Sequence, residues 1–197
     1  MTKKEFTTYL TKPDEARVEE FAKYLMSHYY LDNGKSRYQL LEIEIYNDDM
    51  EYNQAPKEKK IDKNITYPRK TEALAIFYHY TGLDICFESN GKTHSGGVLI
   101  RAVKILGGGD ESFIGGPLKL KDALLNEASK QITAECQDQA LSVELMDDPT
   151  LRIGVHAGRS DKKWRFVVKG YEKQIVTIKE KNKQGFDVLK AKYNNPK

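Results

Sequence analysis

The run "LLEIEIYNDD", residues 40 to 49, constrains this chain more than any other. Leu41, Ile43 and Ile45 alternate with Glu42, Glu44 and Tyr46. That two-residue period is the signature of a β-strand, so two carboxylates and an aromatic ring share one face. Glutamate is depleted in strands, and like charges on one face repel. On strand statistics this is a solvated face. Two features point instead to chemistry: Tyr46 continues the face, and a polar stretch follows directly. A carboxylate at a strand end beside an aromatic and a long loop is a candidate general base.

A second run sharpens the question. In "VLIRAVKI", residues 98 to 105, alternation puts Arg101 on the same face as Leu99, Val103 and Ile105. An arginine on an apolar strand face needs a buried partner, because an unpaired buried charge is very costly. Glu42 and Glu44 are the candidates. Either the three form a structural ion pair, or Arg101 also holds a water or an anionic substrate against the acid.

Around these runs the order of elements predicts a single α+β domain with a curved, mainly antiparallel sheet and flanking helices. Residues 13 to 30 read as a helix, with Thr11 or Asp14 as cap, Pro13 in the first turn and a stripe of Val18, Phe21, Ala22 and Leu25. "LDNGKS" signals a hairpin turn. Residues 47 to 70 read as a long polar loop. "ALAIFYHY" and "LDICFES" read as strands joined by a turn at Thr81-Gly82, and "LKLKDALLNEASK" as a helix. "LSVELM", "RIGV", "WRFVVKG" and "KQIVTIKE" are short strand candidates. The domain is expected over residues 1–179. Residues 180–197 read as a polar, lysine-rich tail lying on the surface or fraying.

Composition limits the function classes. The 197 residues carry a net charge of +3 and are 31% charged, which fits a globular protein and is compatible with nucleic acid. No run reaches transmembrane length, so no membrane partner is expected. "MTKKEFTTYL" lacks a signal-peptide apolar segment, which predicts a cytoplasmic protein. Cys86 and Cys136 form no metal-type pair, and His28, His79, His94 and His156 show no metal-site spacing. No metal and no cofactor are expected. "FYHYTG" places Tyr78 and Tyr80 on one side of its strand and His79 on the other. Those rings become a base-stacking platform only if they meet Tyr46. "GGGDESFIGGPLKLKDAL" lacks the Gly-Lys-Ser/Thr ending of a phosphate loop, but it leads into a helix whose amino terminus could hold a phosphate.

Taken together, "EIEIY" (42–46), "YHYTG" (78–82), "VLIRA" (98–102), "GPLKL" (116–120), "RIG" (152–154) and "RF" (165–166) fall in a recognisable order. The chain resembles the alkyladenine type of 3-methyladenine DNA glycosylase over roughly residues 15 to 170. The resemblance implies a monofunctional DNA glycosylase of base-excision repair. Such an enzyme hydrolyses the N-glycosidic bond of a flipped, alkylated or deaminated purine. By that resemblance Glu44 is the general base, Arg101 helps hold the water and Ile153 offers it a backbone carbonyl. Tyr46 and Tyr78 stack on the base, Lys119 faces the DNA backbone and Glu42 is structural. The partner is damaged duplex DNA, and a monomer is expected.

The sequence also departs from the family's pattern. The position of the family's histidine falls near Ala55. The wedge position that fills the gap left by the flipped base is Thr81, with Tyr80 one residue off. The position of the asparagine that screens the purine edge is Glu88. These departures leave two other readings: a nucleic-acid-binding protein without catalysis, or a hydrolase of another N-glycosidic substrate.

Overall fold

The structure is a computed structural model that describes residues 1–48, 70–90, 96–155, 160 and 162–196. Most of the predicted loop at 47 to 70, including Ala55, lies outside the described residues.

The chain opens with a helix that the sequence reading did not anticipate, α1 (Lys3–Thr11). Thr2 caps it, its hydroxyl accepting from the Glu5 amide while the Glu5 carboxylate accepts from the Thr2 amide. This reciprocal capping box satisfies two amides that a helix start leaves open. Phe6, Tyr9 and Leu10 then face the core. Those bonds hold the Glu5 carboxyl down to about 2, the Thr2 backbone bond contributing most. A carboxyl lowered on folding stabilises the folded state above its unfolded pKa, and that stability is lost as pH falls through the folded value. Wild type is therefore expected to melt higher than Glu5→Gln at pH 7. The gap should close between about pH 4.5 and pH 2, as thermal melts across that range would record.

The predicted helix at 13 to 30 starts later than expected. Asp14 caps a short 3-10 turn, Glu15–Arg17, by accepting from the Ala16 amide. The α-helix α2 then runs Val18–His28 and buries Val18, Phe21, Ala22, Leu25 and Met26. Phe6 stacks on Phe21 at 5.2 Å and on Tyr29 at 4.9 Å, and Phe87 closes on Phe21 at 5.5 Å. This aromatic cluster ties both helices to the sheet.

The main sheet is antiparallel and curved. β1 (Tyr29–Asp32) and β2 (Arg37–Asn47) form a hairpin through the predicted Asn-Gly turn. Gly34 sits at φ +86°, where an added Cβ would also strike Ser129 and Lys130. Two short strands, β3 (Lys70–Thr71) and β6 (Ser89–Asn90), pair beside the sheet. β4 (Ile76–His79) and β5 (Gly82–Cys86) form the predicted hairpin with Tyr80 and Thr81 at its tip. β7 (Gly96–Ile105) and β8 (Ile114–Gly115) lead into helix α3 (Pro117–Glu127). Gly116, at φ +97°, sets Pro117 in the first helical position, which suits proline. β9 (Thr133–Cys136) and β10 (Arg165–Val167) complete this sheet. Its order is β4-β5-β7-β2-β1-β9, with β10 on β2 and β8 on β7. "LSVELM" and "RIGV" give only isolated bridges, Leu145 to Val168 and Ile153 to Leu189.

β2 is the centre. β7 pairs along one edge, while β1 and β10 share the other. Both faces of β2 are covered, and Glu42 and Glu44 have no solvent exposure. The solvated face expected from strand statistics is thus a buried one.

The predicted tail is also structured. β11 (Ile175–Lys181) and β12 (Asp187–Tyr193) form a separate two-stranded hairpin. Its turn is closed by Asn182, whose carbonyl oxygen Oδ1 accepts from the Gln184 and Phe186 amides. Among the described residues no helix is long and apolar enough to cross a membrane.

Candidate functional site

Cross-strand register explains how the charges meet. Arg165 pairs with Glu44, Glu44 with Leu99, Leu99 with Asp84, and Asp84 with Phe77. Residues directly opposite in antiparallel strands project from the same face. One face of the sheet therefore carries Arg165, Glu44, Leu99, Asp84 and Phe77 in a row, with Glu42 and Arg101 beside Glu44.

Glu44 is held by three donors. The Ile153 amide donates to Oε1 at 2.6 Å. The Tyr46 hydroxyl and Arg101 Nη1 donate to Oε2 at 2.9 and 3.2 Å. Glu42 is held by two guanidiniums: Arg165 Nε at 2.6 Å and Arg101 Nε at 3.3 Å, both on Oε1. Arg165 Nη1 continues to the Thr150 and Thr177 hydroxyls, each at 3.0 Å. Among the described residues Glu42 Oε2 and Arg165 Nη2 have no hydrogen-bond partner. Two carboxylates thus sit side by side in the interior because two arginines compensate them. Burial opposes the charge on Arg101. Glu44, then Tyr193 and Glu42, outweigh it and hold Arg101 more firmly protonated than usual. Burial, followed by the Glu44 charge, pushes the Tyr46 hydroxyl well above its ordinary value. Tyr46 therefore stays a donor to Glu44 across the physiological range.

The C-terminal hairpin reaches two of the three donors to Glu44, Arg101 directly and the Ile153 amide through its neighbour Gly154. The Tyr193 hydroxyl accepts from Arg101 Nε at 3.0 Å. The Leu189 carbonyl accepts from the Gly154 amide at 2.9 Å, next to the Ile153 amide that binds Glu44. Asn195 clamps Gly115, its Oδ1 accepting from the Gly115 amide at 2.7 Å and its Nδ2 donating to the Gly115 carbonyl at 3.2 Å. Gly115 must lack a side chain here, since a Cβ would lie 2.4 Å from the Tyr193 ring. Gly115→Ala should push Tyr193 off Arg101 and loosen β12, at a cost of about 1–3 kcal/mol. Faster hydrogen exchange at the β12 amides would report it; unchanged exchange would show that Tyr193 shifts without the strand.

The structure separates residues that the sequence reading grouped. Tyr78 is opposite Leu83 in the β4–β5 hairpin, one step out of phase with Asp84. It therefore lies on the face opposite Glu44 and packs against the core, so Tyr46 and Tyr78 do not share a face. Tyr46 is half-buried, and one face of its ring is covered by the Arg152 guanidinium at 4.4 Å. Arg152 itself is fully buried; it also lies over the Trp164 ring at 5.6 Å and donates from Nη1 to the Ile45 carbonyl. Ile153 meets Glu44 through its amide, not its carbonyl. Glu88 is exposed, and its backbone amide donates to the Leu10 carbonyl at the end of α1. Lys119 is exposed in the first turn of α3.

The β4–β5 tip has its own organisation. Thr81 Oγ1 lies 2.9 Å from His79 Nδ1, and His79 Nε2 lies 3.2 Å from Asp84 Oδ1. Lys121 braces the tip by donating to the His79 and Tyr80 carbonyls. The side chain that projects is Tyr80, 84% exposed.

Arg165, Arg152 and Tyr193 were missed as site residues. For Arg165 a signal existed: an arginine inside the apolar run "WRFVV" needs a buried partner, just as Arg101 does. Compared with protein-family models and with curated protein sequences, the chain matches none.

Proposed function

We propose that this chain hydrolyses the N-glycosidic bond of damaged purines in DNA, with Glu44 as the carboxylate that activates water. The observation that carries the reading is the environment of Glu44. Three donors converge on it, one of them a guanidinium, in a site shielded from solvent. Such surroundings compensate a buried carboxylate and fix its orientation.

In the proposed reaction Glu44 takes a proton from water as the water oxygen bonds to the sugar carbon. The carbon–nitrogen bond breaks, and its electron pair leaves with the base. The negative carboxylate also stabilises the positive charge that develops on the sugar. Oε2 becomes available to water when the half-exposed Tyr46 swings its hydroxyl away. Arg101 then keeps Glu44 in place. Tyr80 takes the part expected of Thr81, since it is the aromatic side chain that projects from the tip. Lys119 lies at the start of α3, where a phosphate would be favoured.

A second reading has an observation of its own. Glu44 has no exposure, and both its oxygens are engaged. A fully bonded buried carboxylate also serves as a purely structural centre. In that case the protein binds nucleic acid without catalysis. Incubation with a duplex bearing one hypoxanthine or ethenoadenine, followed by alkali, separates the two. Alkali-labile sites support hydrolysis, whereas salt-sensitive binding without them supports the second reading.

A further inference from the structure

The lysines at the end of the chain have no part in the chemistry above. From Lys173 to Lys197 the sequence has seven lysines and two acids, an excess of five positive charges, whereas the whole chain carries +3; residues 1 to 172 therefore carry a net charge of −2. The positive charge of this protein is concentrated in one short segment, and the structure folds that segment into the β11–β12 hairpin.

Register divides the hairpin into two faces. Ile175 opposite Tyr193, Thr177 opposite Ala191 and Lys179 opposite Leu189 form the inner one. Its Thr177 and Tyr193 side chains bind Arg165 and Arg101. Val176 opposite Lys192, Ile178 opposite Lys190 and Glu180 opposite Val188 form the outer face, which is exposed at Val176, Lys190 and Lys192 and buried at Val188. The two acids of the hairpin are shared. Asp187 pairs with Lys179 at 3.2 Å and Lys181 at 2.8 Å, and Glu180 pairs with Lys190 at 2.6 Å. Lys173, Lys183 and Lys192 are exposed and make no ion pair among the described residues. At the tip, beside Lys183, Phe186 is 50% exposed.

We propose that the outer face and tip of this hairpin, with Lys173 at its open end, bind the phosphate backbone of nucleic acid, with Phe186 stacking on an unpaired base. The proposal rests on the reading that the substrate is DNA and names the surface that holds it. Charge complementarity selects the partner. A narrow ribbon with lysines on its outer face and tip can follow a line of phosphates, and an exposed ring among lysines suits a splayed base. The hairpin's inner face is fastened to Arg101 and to the Ile153–Gly154 segment. Nucleic acid held on the outer face would therefore lie close to the Glu44 centre.

The test is fluorescence anisotropy with an end-labelled duplex and the matching single strand, over a series of salt concentrations. It compares wild type, the triple variant Lys173→Gln/Lys183→Gln/Lys192→Gln, and Phe186→Ala. Thermal melts confirm that each variant is folded. The triple variant should bind duplex at least tenfold more weakly at low salt. Its slope of log affinity against log salt should be shallower by about 2–3, as expected for three lost phosphate contacts. Phe186→Ala should weaken the single strand more than the duplex.

Unchanged affinity and slope in the triple variant would overturn the proposal, even if wild type releases bases. So would wild type that binds anionic vesicles but neither nucleic acid. Lost binding in the triple variant, with no base release by wild type, would keep the surface and remove the catalytic reading.

Discussion

Arg101→Leu is expected to lower the midpoint of thermal unfolding more than any other single substitution at the site. Arg101 reaches Glu44 through Nη1 and Glu42 through Nε, and both acids are fully buried. Among the described residues, leucine fills part of the volume but leaves Glu44 with no cationic partner and Glu42 with Arg165 alone. Removing one member of a buried ion pair costs about 3–5 kcal/mol. For a chain of this size that is a fall of roughly 6–20 °C. Thermal melts of wild type and the variant check this. An unchanged midpoint would mean that the buried charges are compensated elsewhere.

Glu44→Gln is expected to have the largest effect on activity. The amide is nearly the same size, so packing survives. However, every group around Glu44 is a donor: the Ile153 amide, the Tyr46 hydroxyl and Arg101. An amide offers one oxygen and turns its own donors towards the rest. The unmade bonds should cost about 1–3 kcal/mol or more, since one partner is charged. The variant therefore has to be assayed well below its own melting midpoint. There the loss of the general base should reduce base release by about 10²–10⁴-fold. Substrate binding should change little, because the surface proposed to hold the strand does not include Glu44.

The strand pairing was legible in the sequence for a definite reason. The period of "EIEIY" and the single arginine in "VLIRA" leave few ways to neutralise a charge inside a sheet. What could not be read was phase between strands. Alternation tells which residues of β4 share a side with Tyr78, but not which side that is. One offset in the Tyr78–Leu83 register sends the ring to the core. The sequence put Thr81 at the wedge position with Tyr80 one residue off; in the folded turn Tyr80 is the side chain that projects.

Residues 180–197 were misread through composition. Their lysines obscure the alternation of β12, in which Leu189 and Tyr193 share a face. Tyr193 could not be placed at Arg101 from sequence, since the contact spans 92 positions. Arg152, within the recognised "RIG", was passed over; its partners include two ring faces and a backbone carbonyl, which no sequence pattern announces.

The most direct test is base release from a duplex carrying a single hypoxanthine or ethenoadenine, read as alkali-labile strand breaks. Wild type, Glu44→Gln and Glu42→Gln should be compared under single-turnover conditions, each confirmed folded. The expected result is release by wild type, a loss of at least about 10²-fold in Glu44→Gln, and a markedly smaller loss in Glu42→Gln. Equal rates for wild type and Glu44→Gln, or release that depends on Glu42 instead, would contradict the assignment of Glu44 as the acid that activates water.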